Sequence, residues 1–348
     1  YIRYINDLEQ RGKLDRDLEF LPAEKELVER RSKSHGLTRP EISVLLAYSK
    51  TILKAAVLKS DVPEDPYLSK ELVREFPEPL HGKYFEQMQQ HSLRREITAT
   101  QLSNTLVNQM GVAFIDRMQD ETGASVARIV RAFAIAQLVF DKAALWSAIE
   151  QLDLKVSIDT QCHLMRRLNR LIRRATRWFL RHRQEHLDIE IIANDFIEPI
   201  RELQNRLGDW LPEKDQQSID KMKQDFLERD IPEPLARRLS VVLMMLPLLD
   251  IVEATASGHY KLEDVAIVYF GLGDRLDLSW LREQISNIHA EHHWHALARS
   301  FYRDDLDFLQ RMLSISILRQ KIKQKILNEK IDHWIEVNKY VIGRWRAR

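Results

Sequence analysis

Several stretches of this chain carry residue types that could do chemistry. The most suggestive is "VAIVYFGLGDRLDLSWL" (265–281), where an apolar run meets Gly271, Leu272 and Gly273. Glycines placed after a strand and before a helix let backbone amides cradle a pyrophosphate, which is how a dinucleotide site is built. That fingerprint needs Gly-x-Gly-x-x-Gly, and Leu276 stands where the third glycine belongs. Ahead of the glycines, Leu262, Val265, Ala266, Tyr269 and Phe270 recur with the period of a helix face, not of a strand. Behind them Leu278, Leu281, Ile285 and Ile288 keep the same period, and Asp277 is placed as an N-cap. We read a helix ended by a left-handed glycine, a turn and a second helix, with no cofactor bound in the loop.

The other candidates are weaker. "HAEHHWHALAR" offers His289, His292, His293 and His295, of which His289 and His293 share a helix face as two zinc ligands could. No carboxylate has zincin spacing and no second ligand cluster follows, so these read as ordinary histidines of a half-exposed helix, with no metal. "RDDLDFL" supplies Asp304, Asp305 and Asp307, and "NDFIE" supplies Asp195 and Glu198. Acids one helical turn apart on one face hold magnesium in all-helical prenyl-diphosphate enzymes, and Asp195 and Glu198 have i, i+3 spacing. Acids in a helix's first turn, favoured by the macrodipole, explain the aspartate group more simply. Cys162 stands beside His163, but a nucleophile and its base must converge in space, not in sequence, and no Gly-x-Ser-x-Gly is present. We assign no catalytic, cofactor-binding or metal-ligating residue to this chain.

The sharpest electrostatic feature is basic. Residues 160–187 hold eight arginines against one acid, Glu185, so they carry +7 and leave −6 to the rest of a chain whose net charge is +1. On a helix, Leu164, Leu168, Leu171, Ile172, Ala175 and Phe179 form one face, with Arg166, Arg170, Arg173, Arg177 and Arg181 nearly opposite. One reading is a stripe for an anionic partner, nucleic acid included. The simpler one is a solvated or interdomain face paired with carboxylates elsewhere.

The elements that must position these residues are helical. Only 10 of 348 residues are glycine, and Asn-Gly, Asp-Gly and Gly-Gly pairs are absent, which removes the strongest hairpin signals. Hydrophobic residues at 44% suffice for a core, and 30% charged residues suit helix surfaces. Ile42, Leu45, Leu46, Ile52, Leu53 and Ala56 make one helix face; Val126, Ile129, Val130, Phe133 and Phe140 make another. "TRPE" (38–41) has the form of a capping box, with Pro40 tolerated in the first turn. Pro247 should kink or end a helix near 243–246. The longest apolar run, "VVLMMLPLL" (241–249), is too short to span a bilayer. A single cysteine cannot form an internal disulfide, which fits a reducing, cytoplasmic setting. We expect an all-α, irregular multi-helix bundle without significant sheet. Its parts would be a helical segment over 1–60, a proline-rich joint over 61–82 and a bundle over 83–348, the last with a candidate division near 208–234. A start at Tyr1 rather than methionine suggests a piece of something longer.

Long motifs then carry a resemblance. "GLTRPEISVLLAYSKTILKAAVLKSDVPEDP" (36–66), "HSLRREITATQLSNTLVNQMG" (91–111), "ETGASVARIVRAFAIA" (121–136), "YFGLGDRLDLSWL" (269–281) and "HWHALARSFYRDDL" (293–306) resemble the large-class bacterial NAD-specific glutamate dehydrogenases. The resemblance covers essentially the whole chain. One departure is Gly271, where the family pattern leads us to expect alanine. The resemblance implies the helical C-terminal region of an enzyme that oxidatively deaminates L-glutamate to 2-oxoglutarate and ammonium, with NAD taking the hydride. It also implies that the catalytic segments precede Tyr1, so this region alone would be inactive and hold no cofactor. Its role would be docking on the upstream catalytic unit, assembly or regulation, within a homo-oligomer and without nucleic acid or membrane. Candidate interface residues are Arg39 and Glu41 of the cap, Arg94, Arg95 and Glu96 of "LRRE", and Arg166, Arg170, Arg173, Arg177 and Arg181 of the stripe, because arginine forks pair with carboxylates. The competing class is an independent helical module that binds nucleic acid or an acidic protein through the same stripe. A magnesium-dependent helical lyase or transferase is the remaining alternative.

Overall fold

The computed structural model describes residues 1–183, 187–289, 293–320 and 326–346. Among the described residues there are α-helices and short 3-10 helices and no strand, as the scarce glycine and the helical periods require. The chain forms two compact units, one of residues 1–136 and 175–190, the other of 137–174 and 191–348. Both stretches read as proline joints fall inside a unit, 61–82 in the first and 208–234 in the second.

In the first unit, helix α1 (Arg39–Leu58) starts where "TRPE" says it should. The Thr38 amide donates to Glu41 Oε2 at 2.6 Å, and Pro40 occupies a first-turn position that needs no donor. The buried line is Leu45, Ser49, Leu53 and Val57, while Ile42, Leu46, Ile52 and Ala56 are only half-buried. Ser49 is tolerated inside because its hydroxyl donates to the Leu45 carbonyl at 2.7 Å and lies 2.6 Å from the Tyr4 hydroxyl. Helix α2 (Arg94–Met110) packs along α1. Between them the proline-rich stretch makes only short turns, Val62–Glu64, Leu68–Lys70, Glu71–Arg74, Glu78–His81 and Phe85–Gln89. Each proline withholds an amide and biases its predecessor away from the helical region, so no turn there propagates. A left-handed glycine cap does occur in this unit, at Gly123 (φ 68°), whose amide reaches the Gln119 carbonyl at 2.7 Å.

Helix α3 (Ile158–His182) begins in the second unit and ends in the first. The second unit continues with α4 (Leu246–Gly258), α5 (Leu262–Arg275), α6 (Leu278–Asn287), α7 (His293–Arg319) and α8 (Leu327–Val337). Pro247 opens α4 and does not kink it: helix Glu233–Ser240 and a 3-10 turn over Val242–Met244 precede it. Helix α5 is central, packed by α4, α7 and α8. Its Val268 and Leu272 join Leu306 and Ile317 of α7 and Ile331 and Trp334 of α8 in one apolar cluster.

Lys142, in the first turn of helix Lys142–Glu150, is fully buried, with its ammonium 4.9 Å from the Trp146 ring centroid. Burial pushes it down from 10.5 to about 7. The unfolded chain therefore holds a proton that the folded chain releases between those values, and stability rises with pH across that window. Lys142→Met should raise the melting temperature at pH 7 and below, with the gain fading toward pH ~10. Thermal melts of both proteins across pH check this.

Candidate functional site

Gly271 and Gly273 lie inside α5, which runs on to Arg275. The expected glycine-ended helix is thus corrected. The left-handed residue is Asp277 (φ 52°), and it makes no side-chain cap bond to α6. Amides within a helix point at carbonyls four residues earlier, so this pair does not form a phosphate cradle. The glycines serve close packing. A Cβ on Gly273 would lie 2.7 Å from Gln310 Nε2, and one on Gly271 would lie 2.9 Å from Ile331 Cδ1. The empty space at Gly273 lets the Gln310 amide donate to the Tyr269 carbonyl at 2.8 Å.

Gln310 belongs to a polar network between helices of the second unit. Arg311 donates to Asp250 at 2.9 Å with both side chains buried. Asp307 accepts from Arg282 Nε at 2.9 Å and from Arg174 at 3.5 Å, and Arg282 also reaches Gln310 Oε1. The Tyr269 hydroxyl is buried without a hydrogen-bond partner. Burial, then the Asp250 and Asp307 carboxylates, hold its ionisation well above the ordinary tyrosine range. Each carboxylate here meets at least one guanidinium, and Asp307 meets two, which is the arrangement of a structural lock. The acids 304–307 therefore sit in the middle of α7, correcting the first-turn reading: Asp307 faces two guanidinium groups of the same unit. The sequence reading missed this network. Its one visible sign is Asp250, a carboxylate that closes the longest apolar run.

The arginine helix also departs from its expected geometry. The apolar face is as read, with Leu164, Leu168, Leu171, Ile172, Ala175 and Phe179 all buried. Of the supposed outer stripe, Arg166 and Arg170 are exposed, Arg173 and Arg181 are half-buried, and Arg177 is buried. Within the first unit Arg177 pairs with Glu121 at 2.9 Å, their side chains 4% and 7% exposed, and Arg181 donates to the Glu121 carbonyl at 3.3 Å. Arg167, in the second unit, is buried over the Phe226 ring. A periodicity argument puts the basic face opposite the first apolar one, but the later turns of α3 are packed on both sides.

The cap residues divide in the same way. Glu41 is gripped by both Nη1 contacts of Arg30, at 2.9 and 3.0 Å, and Arg39 is exposed. Arg95 ties α2 to the end of α1 by pairing with Glu64 and donating to the Leu58 carbonyl at 2.8 Å. Arg94 and Glu96 are exposed. Arg166 and Arg170 belong to one unit, and the cap and "LRRE" residues to the other.

No three His, Cys, Asp or Glu converge as metal ligands among the described residues, and His292 lies outside them. Glu198 pairs with Arg201 one turn on, at 2.5 Å, while Asp195 is exposed. Two open clefts of ≈ 360 and ≈ 580 Å³ share Arg16, whose guanidinium is already held by Glu9, Asn6 and the Pro22 carbonyl. Among the described residues no single helix is long and apolar enough to cross a membrane.

Two substitution series test these assignments. Arg177→Glu should cost about 3–5 kcal/mol, because it leaves two buried carboxylates together, whereas Arg166→Glu and Arg170→Glu should stay within about 0.5 kcal/mol. Gly273→Ala should destabilise by about 1–3 kcal/mol through loss of the Gln310–Tyr269 bond. Gly271→Ala should lie within about 1 kcal/mol of the parent, since helix propensity offsets a small shift of one Ile331 methyl. Denaturant midpoints read both series.

Comparison with known proteins places this architecture. The family described as "Glutamate dehydrogenase, C-terminal" matches residues 34–348. The chain is 42% identical, over its whole length, to the NAD-specific glutamate dehydrogenase of Pseudomonas aeruginosa. It is 38% identical over 99% of its length to the Halomonas elongata protein of that name, and 32% identical, also over 99%, to the Mycobacterium tuberculosis one. It spans only 21% of the length of each of these relatives. A two-unit helical array whose glycine pair serves packing, matched across nearly all its length, belongs to the glutamate dehydrogenase C-terminal family.

Proposed function

We propose that this chain is the helical C-terminal part of an NAD-dependent glutamate dehydrogenase. The whole enzyme would oxidatively deaminate L-glutamate to 2-oxoglutarate and ammonium, and this part would support it by docking, assembly or regulation without handling either substrate. The observation that carries the reading is the glycine pair set within α5, facing Ile331 and Gln310. The dinucleotide-like spacing of this chain serves helix packing, so pyrophosphate binding falls to the four-fifths of the relatives' length that this chain does not span. Hydride transfer also needs a lysine or carboxylate beside the substrate carbon, and the buried carboxylates of Glu121, Asp307 and Asp250 are taken up by Arg177, Arg282 and Arg311. The whole protein would act in the cytoplasm as a homo-oligomer.

The exposed Arg39, Arg94, Glu96, Arg166 and Arg170 are the candidates left for contact with the catalytic unit. Arg177 and Arg95 act inside the chain.

Calorimetric titration of the isolated chain with NAD and with L-glutamate should show no stoichiometric heat. Charge reversal at Arg166 and Arg170 in the full-length enzyme should weaken assembly or turnover while leaving the melting temperature of this part unchanged. Tight NAD uptake by the isolated chain would overturn the non-catalytic reading, and unchanged sedimentation and turnover of the reversed enzyme would remove those arginines from it.

A further inference from the structure

The described residues expose large apolar side chains unevenly. Twelve of the 23 fall between Trp280 and Val341, and six of those lie on α7 alone. Trp294, Phe301 and Phe308 stand 76%, 55% and 41% exposed at intervals of seven residues, and Met312 follows at 42%. Tyr302 and Leu309 widen the same face, at 54% and 47%. Between the aromatics lie the exposed Ala298 and Asp305, so the outward line is 294, 298, 301, 305, 308, 312. That alternation of four and three is the seam of a two-helix coiled coil. The inward face of α7 is already committed, with Leu306, Gln310, Arg311, Ser314, Ile315 and Ile317 buried.

We propose that this face of α7 is a self-complementary docking surface for a second copy of this chain, paired antiparallel about a two-fold axis near Arg303. The sizes along the seam argue for that occupant. One set of positions holds only aromatics (Trp294, Phe301, Phe308) and the other only smaller groups (Ala298, Asp305, Met312). Antiparallel pairing sets each aromatic against a smaller residue of the second copy: Trp294 on Met312, Phe308 on Ala298, Phe301 on Asp305. Parallel pairing would stack aromatic on aromatic and bring the two Asp305 carboxylates together, which costs packing and charge. The area is also adequate. At their observed exposures the six apolar side chains offer about 600 Å² per copy, close to the roughly 800 Å² per partner of a standard interface. A patch of about 600 Å² lies at the top of the range that monomer surfaces expose, and an isologous contact closes it with no new surface.

The test needs no upstream segment, so it is independent of the docking role proposed above. Sedimentation velocity on this chain should show a dimer, and Phe301→Glu with Phe308→Glu should weaken association roughly a hundredfold while the helical circular dichroism remains as in the parent. In a Cys162→Ser background, Ala298→Cys mixed with Phe308→Cys should cross-link on oxidation to a heterodisulfide. Because that measurement uses milder changes, it decides the matter even if the double glutamate variant fails to fold. A parent chain that stays monomeric to about 100 µM overturns the proposal, as does a doubly substituted chain that associates as tightly as the parent. Efficient self-cross-linking of Asp305→Cys alone overturns the antiparallel arrangement.

Discussion

The approach of α7 to α5 governs the second unit. It is set by the absence of a side chain at Gly273. With only hydrogen there, Gln310 reaches a main-chain carbonyl in the middle of a neighbouring helix, and it also meets Arg282, the partner of Asp307. Once the two helices are this close, Leu306 and Ile317 meet Val268 and Leu272, and α8 closes the cluster with Ile331 and Trp334. Buried charge is costly in such a place unless each ion is matched, and the Asp250–Arg311 and Asp307–Arg282 pairs meet that condition. Polar matching of this kind fixes register more than it adds stability, because a slipped helix would leave an arginine or carboxylate stranded.

The first unit uses the same device at smaller scale. Arg177 and Glu121 neutralise each other in the interior, and Arg131 binds Asp61 and Asp65 at 3.1 and 3.0 Å beside the short proline-broken turns. Those turns contribute few backbone hydrogen bonds of their own, so side-chain ties to longer helices hold them in place. Arg95, bridging Glu64 and the carbonyl of Leu58, does so at the end of α1, where helix carbonyls are left without amide partners. Arginine suits this work because one planar fork serves several acceptors. The high content of charged residues is therefore in part an internal framework and only in part a solvated surface.

Such a framework suits a part that must hold one shape within a longer chain, and the relatives it matches are about five times its length. Among the described residues, buried titratable groups include ion pairs such as Arg177–Glu121 and Arg311–Asp250, and burial shifts Lys142 and Tyr269 toward their neutral forms.

Helical class, the Thr38–Glu41 cap, the apolar face of α3 and the family resemblance were legible in the residues. Each depends on local spacing that a helix converts directly into a face. Local spacing also ruled out a dinucleotide turn, because the apolar period of α5 is helical on both sides of Gly271. It could not tell which side of α3 meets solvent. The period defines opposite faces but not how many neighbours pack around them, so the burial of Arg177 depends on a glutamate 56 residues away. Likewise a glycine can end a helix or admit another chain, and the two uses look alike until Gln310 is seen standing over Gly273. The chain's composition made helices inevitable; only their assembly determined which charges became structure, because ion pairing in the interior joins residues far apart in sequence.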